Sequence, residues 1–201
     1  MVSNRTRILT AIVMPVLLFL TACGVNSIPT AEENAKAKWA DVQSQYQRRA
    51  DLIPNLVATV QGYAAQERNV LTAVTEARAS ATRVTLSPEQ LTDPAAMQRF
   101  AEAQGRLSAA IIPLQRLQEN YPELRSNQNF LSLQSQLEGT ENRIAVARRD
   151  YNQAVQEYNT TIRTFPAVIG ARVIYGSQPM QPFQAEQGAQ RAPTVNFGNG
   201  Q

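Results

Sequence analysis

Very little in this chain could carry acid–base or nucleophilic chemistry. The 201 residues contain no histidine and one cysteine, Cys23. Without imidazole, the Ser-His-Asp, Cys-His and zinc–histidine arrangements are excluded. No glycine motif of the G-x-x-x-x-G-K-[ST] or G-x-G-x-x-G kind cradles a phosphate. Paired carboxylates remain, Glu138 with Glu141 and Glu119 with Glu123. Such a pair can hydrolyse a glycoside, but carboxylates three or four apart on a helix are far more often solvated or ion-paired. We therefore expect no enzyme, no catalytic residue, no metal site and no cofactor. Two polar clusters interrupt the apolar runs instead. In one, Arg48, Arg49 and Asp51 precede Asn55; in the other, Glu141, Asn142 and Arg143 precede Arg148, Arg149 and Asn152. They fit two readings. Internal ion pairs and hydrogen bonds would fix the register of packed helices. An exposed patch would bind a partner or an anionic headgroup.

The position of Cys23 is the most informative chemical feature. Arg5 and Arg7 form a basic start, and Ile8 to Leu20 is a run of 13 mostly apolar residues. That is short for a bilayer span of about 20 residues and suits a signal-peptide core. Leu20, Thr21, Ala22 and Cys23 follow. This order resembles the bacterial lipobox, in which the thiol takes a diacylglyceryl group and cleavage falls before the cysteine. On this reading residues 1–22 are a lipoprotein signal peptide and 23–30 a lipidated tether. Two or three acyl chains, at ~0.8 kcal/mol per buried CH₂, hold a protein stably at a bilayer. Gly24 rather than Asp follows the cysteine, which leans towards an outer membrane facing the periplasm. An uncleaved single-pass anchor in the inner membrane is the alternative.

Charge argues against nucleic acid. The net charge is +3, and removal of Arg5 and Arg7 leaves 17 basic against 16 acidic residues. A phosphate backbone needs a far larger electrostatic footprint. The computed pI of 9.3 reflects the missing histidines, because almost nothing titrates between the carboxylates and the lysines.

Helices must position whatever these residues do. A 3-4 alternation runs through Trp39, Val42, Tyr46, Arg49, Ile53, Leu56, Val60, Tyr63, Glu67, Val70, Val74, Ala77 and Ala81. It predicts an amphipathic helix near 31–83 with a coiled-coil-like seam. Thr30 and Glu33 offer a capping box for it. Pro54 costs such a helix about 3 kcal/mol, yet the apolar phase does not slip there, so a kinked continuous helix is expected. The rival is two helices meeting at residues 51–55. Ser87-Pro88-Glu89 and Asp93-Pro94 are cap-plus-proline starts. The second opens a helix with Met97, Phe100, Ala103, Leu107, Ile111, Leu114, Leu117 and Tyr121 on one face, kinked at Pro113. After a turn at residues 121–123, a third helix carries Phe130, Leu133, Leu137, Ile144, Ala147, Tyr151, Val155, Tyr158, Ile162 and Phe165. Phe165-Pro166 ends it. Residues 166–176 form a short apolar segment. Residues 177–201, rich in Gln, Pro and Gly, are expected to be a flexible tail. The fold class is all-α: an elongated antiparallel bundle over 31–165, with three long helices and a short one, countable as a four-helix up-and-down bundle.

Several stretches resemble the LemA family: RRADLIPNLVATVQGYAAQE (48–67), AQGRLSAAI (103–111), ENYPELRSNQNFLSLQSQLEGTENRIAVARRDYNQAVQEYNTTIRTFP (119–166) and AEQGAQRAP (185–193). The resemblance implies an N-terminal membrane anchor and an antiparallel helical bundle, and brings no activity, substrate or cofactor. Many members keep a transmembrane anchor, and Cys23 in its lipobox context departs from that. Tyr175-Gly176 stands near the place where the family tends to have Gly-Phe. The combined expectation is a lipid-anchored envelope protein. It would act as a scaffold or protein-interaction module for other envelope proteins, or else bind cell wall or anionic lipid through its arginines.

Overall fold

A computed structural model describes residues 26–184. Four long helices run alternately up and down: α1 (Ser27–Gln61), α2 (Arg68–Arg83), α3 (Pro94–Asn120) and α5 (Gln128–Thr161). A short α4 (Pro122–Ser126) joins α3 to α5, and α6 (Ala167–Gly170) runs into a π-helical turn, Ala171–Tyr175. No strand occurs among the described residues. The all-α antiparallel bundle expected from periodicity is present. The most extensive pairings are α1 with α5 and α2 with α3.

The first helix differs from its expected form. Pro54 lies inside α1 and does not end it. The chain turns instead at residues 62–67, and α2 folds back along α1, so that Arg78 reaches Ala50. The apolar phase that carried the expected continuous helix does slip at this turn. Tyr63 is exposed and Glu67 and Val70 are half-buried, whereas Ala64, Leu71 and Val74 are buried. A four-residue step then separates Val60 from Ala64, and the helical run restarts at Arg68. Arg78 also explains how Pro54 is tolerated. Proline has no N–H for the carbonyl four residues earlier, which is that of Ala50. The Arg78 guanidinium donates to the Ala50 carbonyl oxygen through Nε at 2.7 Å.

Other boundaries follow local chemistry. The Asp93 side chain accepts from the Ala95 amide at 2.8 Å, with Pro94 at the first helical position. Ser87 precedes a 3₁₀ turn over Pro88–Thr92, and its amide donates to Gln90 Oε1 at 3.0 Å. Asn127 caps α5 by accepting from the Phe130 amide at 2.9 Å. Thr30 does not cap α1; it lies within the helix and its hydroxyl donates to the Asn26 carbonyl. Pro113 lies inside α3, which continues past it. Helix α5 stops at Thr161, four residues before Phe165, and Phe165 is exposed rather than on the seam. Gly176 has φ +58°, a left-handed conformation that a glycine adopts without a Cβ clash, and it turns the chain back over the bundle.

The tail expected to be flexible is partly built into the fold. Residues 177–184 cross the bundle as an extended strap, with Met180 and Phe183 buried. Residues 185–201 lie outside the described region.

The core has two apolar halves. One gathers Trp39, Tyr46, Phe100, Ile144, Tyr151 and Phe183, and extends to Ile28 and Ile162 at the end where α1 begins. The other gathers Leu56, Leu107, Leu114, Leu124, Phe130 and Leu137 towards the opposite end.

Candidate functional site

The boundary between the two apolar halves is polar. Among the described residues, Arg49, Gln104 and Thr140 are the buried polar or charged side chains, and all three lie at this level. A buried guanidinium is tolerated only when its donors are matched. Arg49 Nη1 donates to Ser108 Oγ at 2.7 Å and to Glu141 Oε1 at 3.0 Å. Nη2 donates to Gln104 Oε1 at 2.7 Å and to the Gln104 carbonyl at 3.2 Å. The guanidinium also stands 5.0 Å from the centre of the Tyr46 ring, a cation–π distance. Gln104 in turn donates from Nε2 to the Ala81 carbonyl at 3.3 Å. This layer therefore ties α1, α2, α3 and α5 together. Arg49 Nε finds no acceptor among the described residues.

The sequence-predicted polar residues separate into three groups. Arg49 and Glu141 meet in the buried layer. Arg148 and Asn152 hold the strap. Asn152 Oδ1 accepts from the Phe183 amide at 2.8 Å, and its Nδ2 donates to the Phe183 carbonyl at 3.1 Å. Arg148 lies 4.8 Å above the Phe183 ring and donates to the Gln184 carbonyl at 3.4 Å. The remaining six, Arg48, Asp51, Asn55, Asn142, Arg143 and Arg149, are exposed. Asp51 accepts from Gln47 at 2.8 Å, and Arg149 lies 3.9 Å from Asp150. Leu20, Thr21, Ala22 and Cys23 lie outside the described residues.

Sequence reasoning missed the strap and its receiving residues. Asn159, one heptad after Asn152 on α5, repeats the same two-bond clasp on Met180. It accepts from the amide at 2.9 Å and donates to the carbonyl at 2.9 Å. On the other side the Gln181 amide donates to the Leu91 carbonyl at 2.8 Å. The Tyr151 hydroxyl donates to the Gln181 carbonyl at 3.0 Å. Burial pushes the Tyr151 phenol well above its ordinary range, so it remains a neutral donor. Phe183 stacks on Trp39 at 5.7 Å, inside a box completed by Phe100 and Tyr151. The available signal was two asparagines seven apart on one helix face, together with Met180 and Phe183 spaced three apart in an otherwise polar stretch. Gln104 and Ser108 were likewise missed, hidden among small residues.

The buried layer holds the four long helices together, and the asparagine clasps hold the strap to α5. Among the described residues no group of three His, Cys, Asp or Glu side chains could hold a metal ion. A shallow cleft lined by Ala40, Gln43, Ser44, Tyr46, Thr82 and Thr85 has a volume of about 370 Å³, and its lining includes no Asp, Glu, Lys or Arg. No helix of the described residues is long and apolar enough to cross a membrane.

Known proteins share this sequence pattern. Magnetosome protein MamQ 2 of Paramagnetospirillum magneticum is 26% identical over 164 residues, covering 70% of this chain and 58% of that protein. Magnetosome protein MamQ of Magnetospirillum gryphiswaldense is 26% identical over 157 residues with the same coverage. The chain thus spans less than two thirds of the length of these relatives. The LemA family profile matches residues 38–197. That span takes in Trp39, the whole Arg49 layer and the strap with its two asparagine clasps, and the chain belongs to the LemA family.

Proposed function

We propose that this LemA-family chain is a non-catalytic scaffold of the cell envelope, anchored through acylated Cys23 and displaying the exposed side of its bundle to other envelope proteins. One observation carries the reading. Helix α1 is already formed at Ser27, four residues beyond the cysteine of the L-T-A-C sequence, so acylation would put a folded rod directly on a bilayer. The polar residues left for partners are Arg48, Asp51, Asn55, Asn142, Arg143 and Arg149. Arg49, Glu141, Arg148 and Asn152 are committed to the fold.

Two measurements test this. Mass spectrometry of the processed protein should find an N-terminal acylated Cys23, and globomycin should block its formation. Photocrosslinking in intact cells from positions beside Arg48 and Arg149 should capture discrete partners, and Arg48→Ala or Arg149→Ala should weaken the capture without altering the melting temperature. Processing that ignores globomycin, or a crosslinking pattern with no discrete product, would refute the respective half of the reading.

A second reading rests on the exposure of Arg48, Arg143 and Arg149. These cations could bind murein or an anionic headgroup. Sedimentation of the chain with sacculi that persists at low salt and is lost at high salt would favour it.

A further inference from the structure

Five of the nine exposed large apolar side chains among the described residues fall within 165–175: Phe165, Ile169, Val173, Ile174 and Tyr175. Isolated apolar residues on a surface are ordinary, but a contiguous patch marks an interaction. Ile169 and Val173 stand four apart on the outer side of the α6 and π-helical segment, and Phe165 lies in the turn just before it. Phe165, Ile169 and Val173 are 75%, 52% and 79% exposed. Ala167, Gly170 and Ala171, on the other side of the same segment, are buried against the bundle. The segment thus turns its small side chains inward and its large ones outward, the reverse of what a stability-driven core would select.

The place of this patch in the fold limits what can cover it. Ala167 and Ala171 share a core cluster with Ile28 and Ile162, so the patch lies at the end of the bundle where α1 begins. Ser27 is four residues from Cys23, a reach of about 14 Å when fully extended. The segment itself carries charge of one sign, whereas Glu32, Lys36 and Glu89 line the cleft on the Tyr175 side of it. Arg163 and Arg172 are exposed, and no Asp or Glu occurs between Glu157 and Glu186. Aliphatic and aromatic side chains flanked by arginines are the composition of segments that settle into the headgroup layer of an anionic bilayer.

We propose that Phe165, Ile169, Val173 and Ile174 form a second membrane contact, seating the anchored end of the bundle in the lipid interface with Arg163 and Arg172 at the headgroups. This rests on the N-terminal anchor reading but adds an orientation to it: the rod stands on its α1-start, α5-end face.

Full-length protein, reconstituted into vesicles of phosphatidylethanolamine and phosphatidylglycerol containing acyl-chain-brominated phosphatidylcholine, tests this. Trp39 is 2% exposed and supplies a shielded background. Val173→Trp should lose emission as the bromolipid fraction rises, and Ile169→Trp should do the same. Leu131→Trp, at the opposite end of the bundle, should not. Flotation with the vesicles is scored in the same samples. A chain that floats while Val173→Trp and Ile169→Trp stay unquenched keeps its anchor and overturns the proposal. Equal quenching at Leu131→Trp also overturns it, because the rod would then lie flat. An unquenched patch that crosslinks to a second copy would assign it to self-association, again against the proposal. A chain that fails to float refutes the anchor reading itself, and the lipid contact falls with it.

Discussion

Arg49 shows how one charged residue in an apolar seam can be structural. From sequence it occupied a core position, between Tyr46 and Ile53, and that much was legible. Its partners were not, because Ser108 and Gln104 lie more than fifty residues away and nothing local marks them. Glu141 was among the residues singled out, yet only the fold shows that it faces Arg49. Its side chain is 43% exposed while that of Arg49 is 1% exposed, so the pair is solvated at one end. A cycle of Arg49→Met and Glu141→Gln should give a coupling of about 0.5–3 kcal/mol in urea unfolding. A coupling of zero would mean that Gln104 and Ser108 alone satisfy the guanidinium. Tyr151 carries a pH signature. Its phenol is raised above the ordinary value of 10.0 by burial. Below that value neither state ionises and the stabilisation is complete. Above it the unfolded chain loses a proton that the folded chain keeps, so stability falls as pH rises. Tyr121, Tyr158 and Lys36 are raised too and act in the same direction. The melting temperature should therefore drop above pH 10, and Tyr151→Phe should flatten part of that drop. An unchanged slope would show that the other three groups account for it.

At the scale of elements, the helices were legible wherever apolar residues repeat without interruption. The cap-plus-proline starts at Ser87 and Asp93 needed only local rules. The turn at 62–67 was not legible, since Tyr63, Glu67 and Val70 preserve an apparent 3-4 rhythm across it. Only burial reveals that Ala64 and Leu71 replace them. Pro54 attracted the expected kink because proline is the strongest local signal, but a distant arginine takes up the freed carbonyl. This pairing makes a clear prediction. Arg78→Ala should cost about 1 kcal/mol in the parent chain. With Pro54→Ala in place, the restored backbone N–H can serve Ala50, and the same Arg78→Ala should cost measurably less. Equal costs in both backgrounds would show that Arg78 acts through packing alone.

Across the whole molecule, two apolar halves are joined through one polar layer, and each long helix contributes to both halves or to the layer between them. Such an arrangement should unfold as one unit. Leu114, fully buried in the half remote from Trp39, offers a test. Leu114→Ala should lower stability by about 2–5 kcal/mol. Trp39 fluorescence and far-UV circular dichroism should shift together. A Trp39 transition left in place would show that the halves melt separately. The all-α class was legible from pattern, and the reversals before Pro94 and Gln128 from loop length, but the reversal between α1 and α2 was not. The strap was not, because a Gln- and Pro-rich composition masks two buried side chains whose partners lie on α1, α3 and α5.

The strap also decides where the chain departs. Gln184, the last described residue, is held at Arg148. Arg148 lies fourteen helical residues up α5 from Ile162 at the basal end, about 21 Å along the axis. The described chain therefore ends at the waist of the rod rather than at its foot. A reporter attached at Gln184 would sense the flank beside α5 rather than the base.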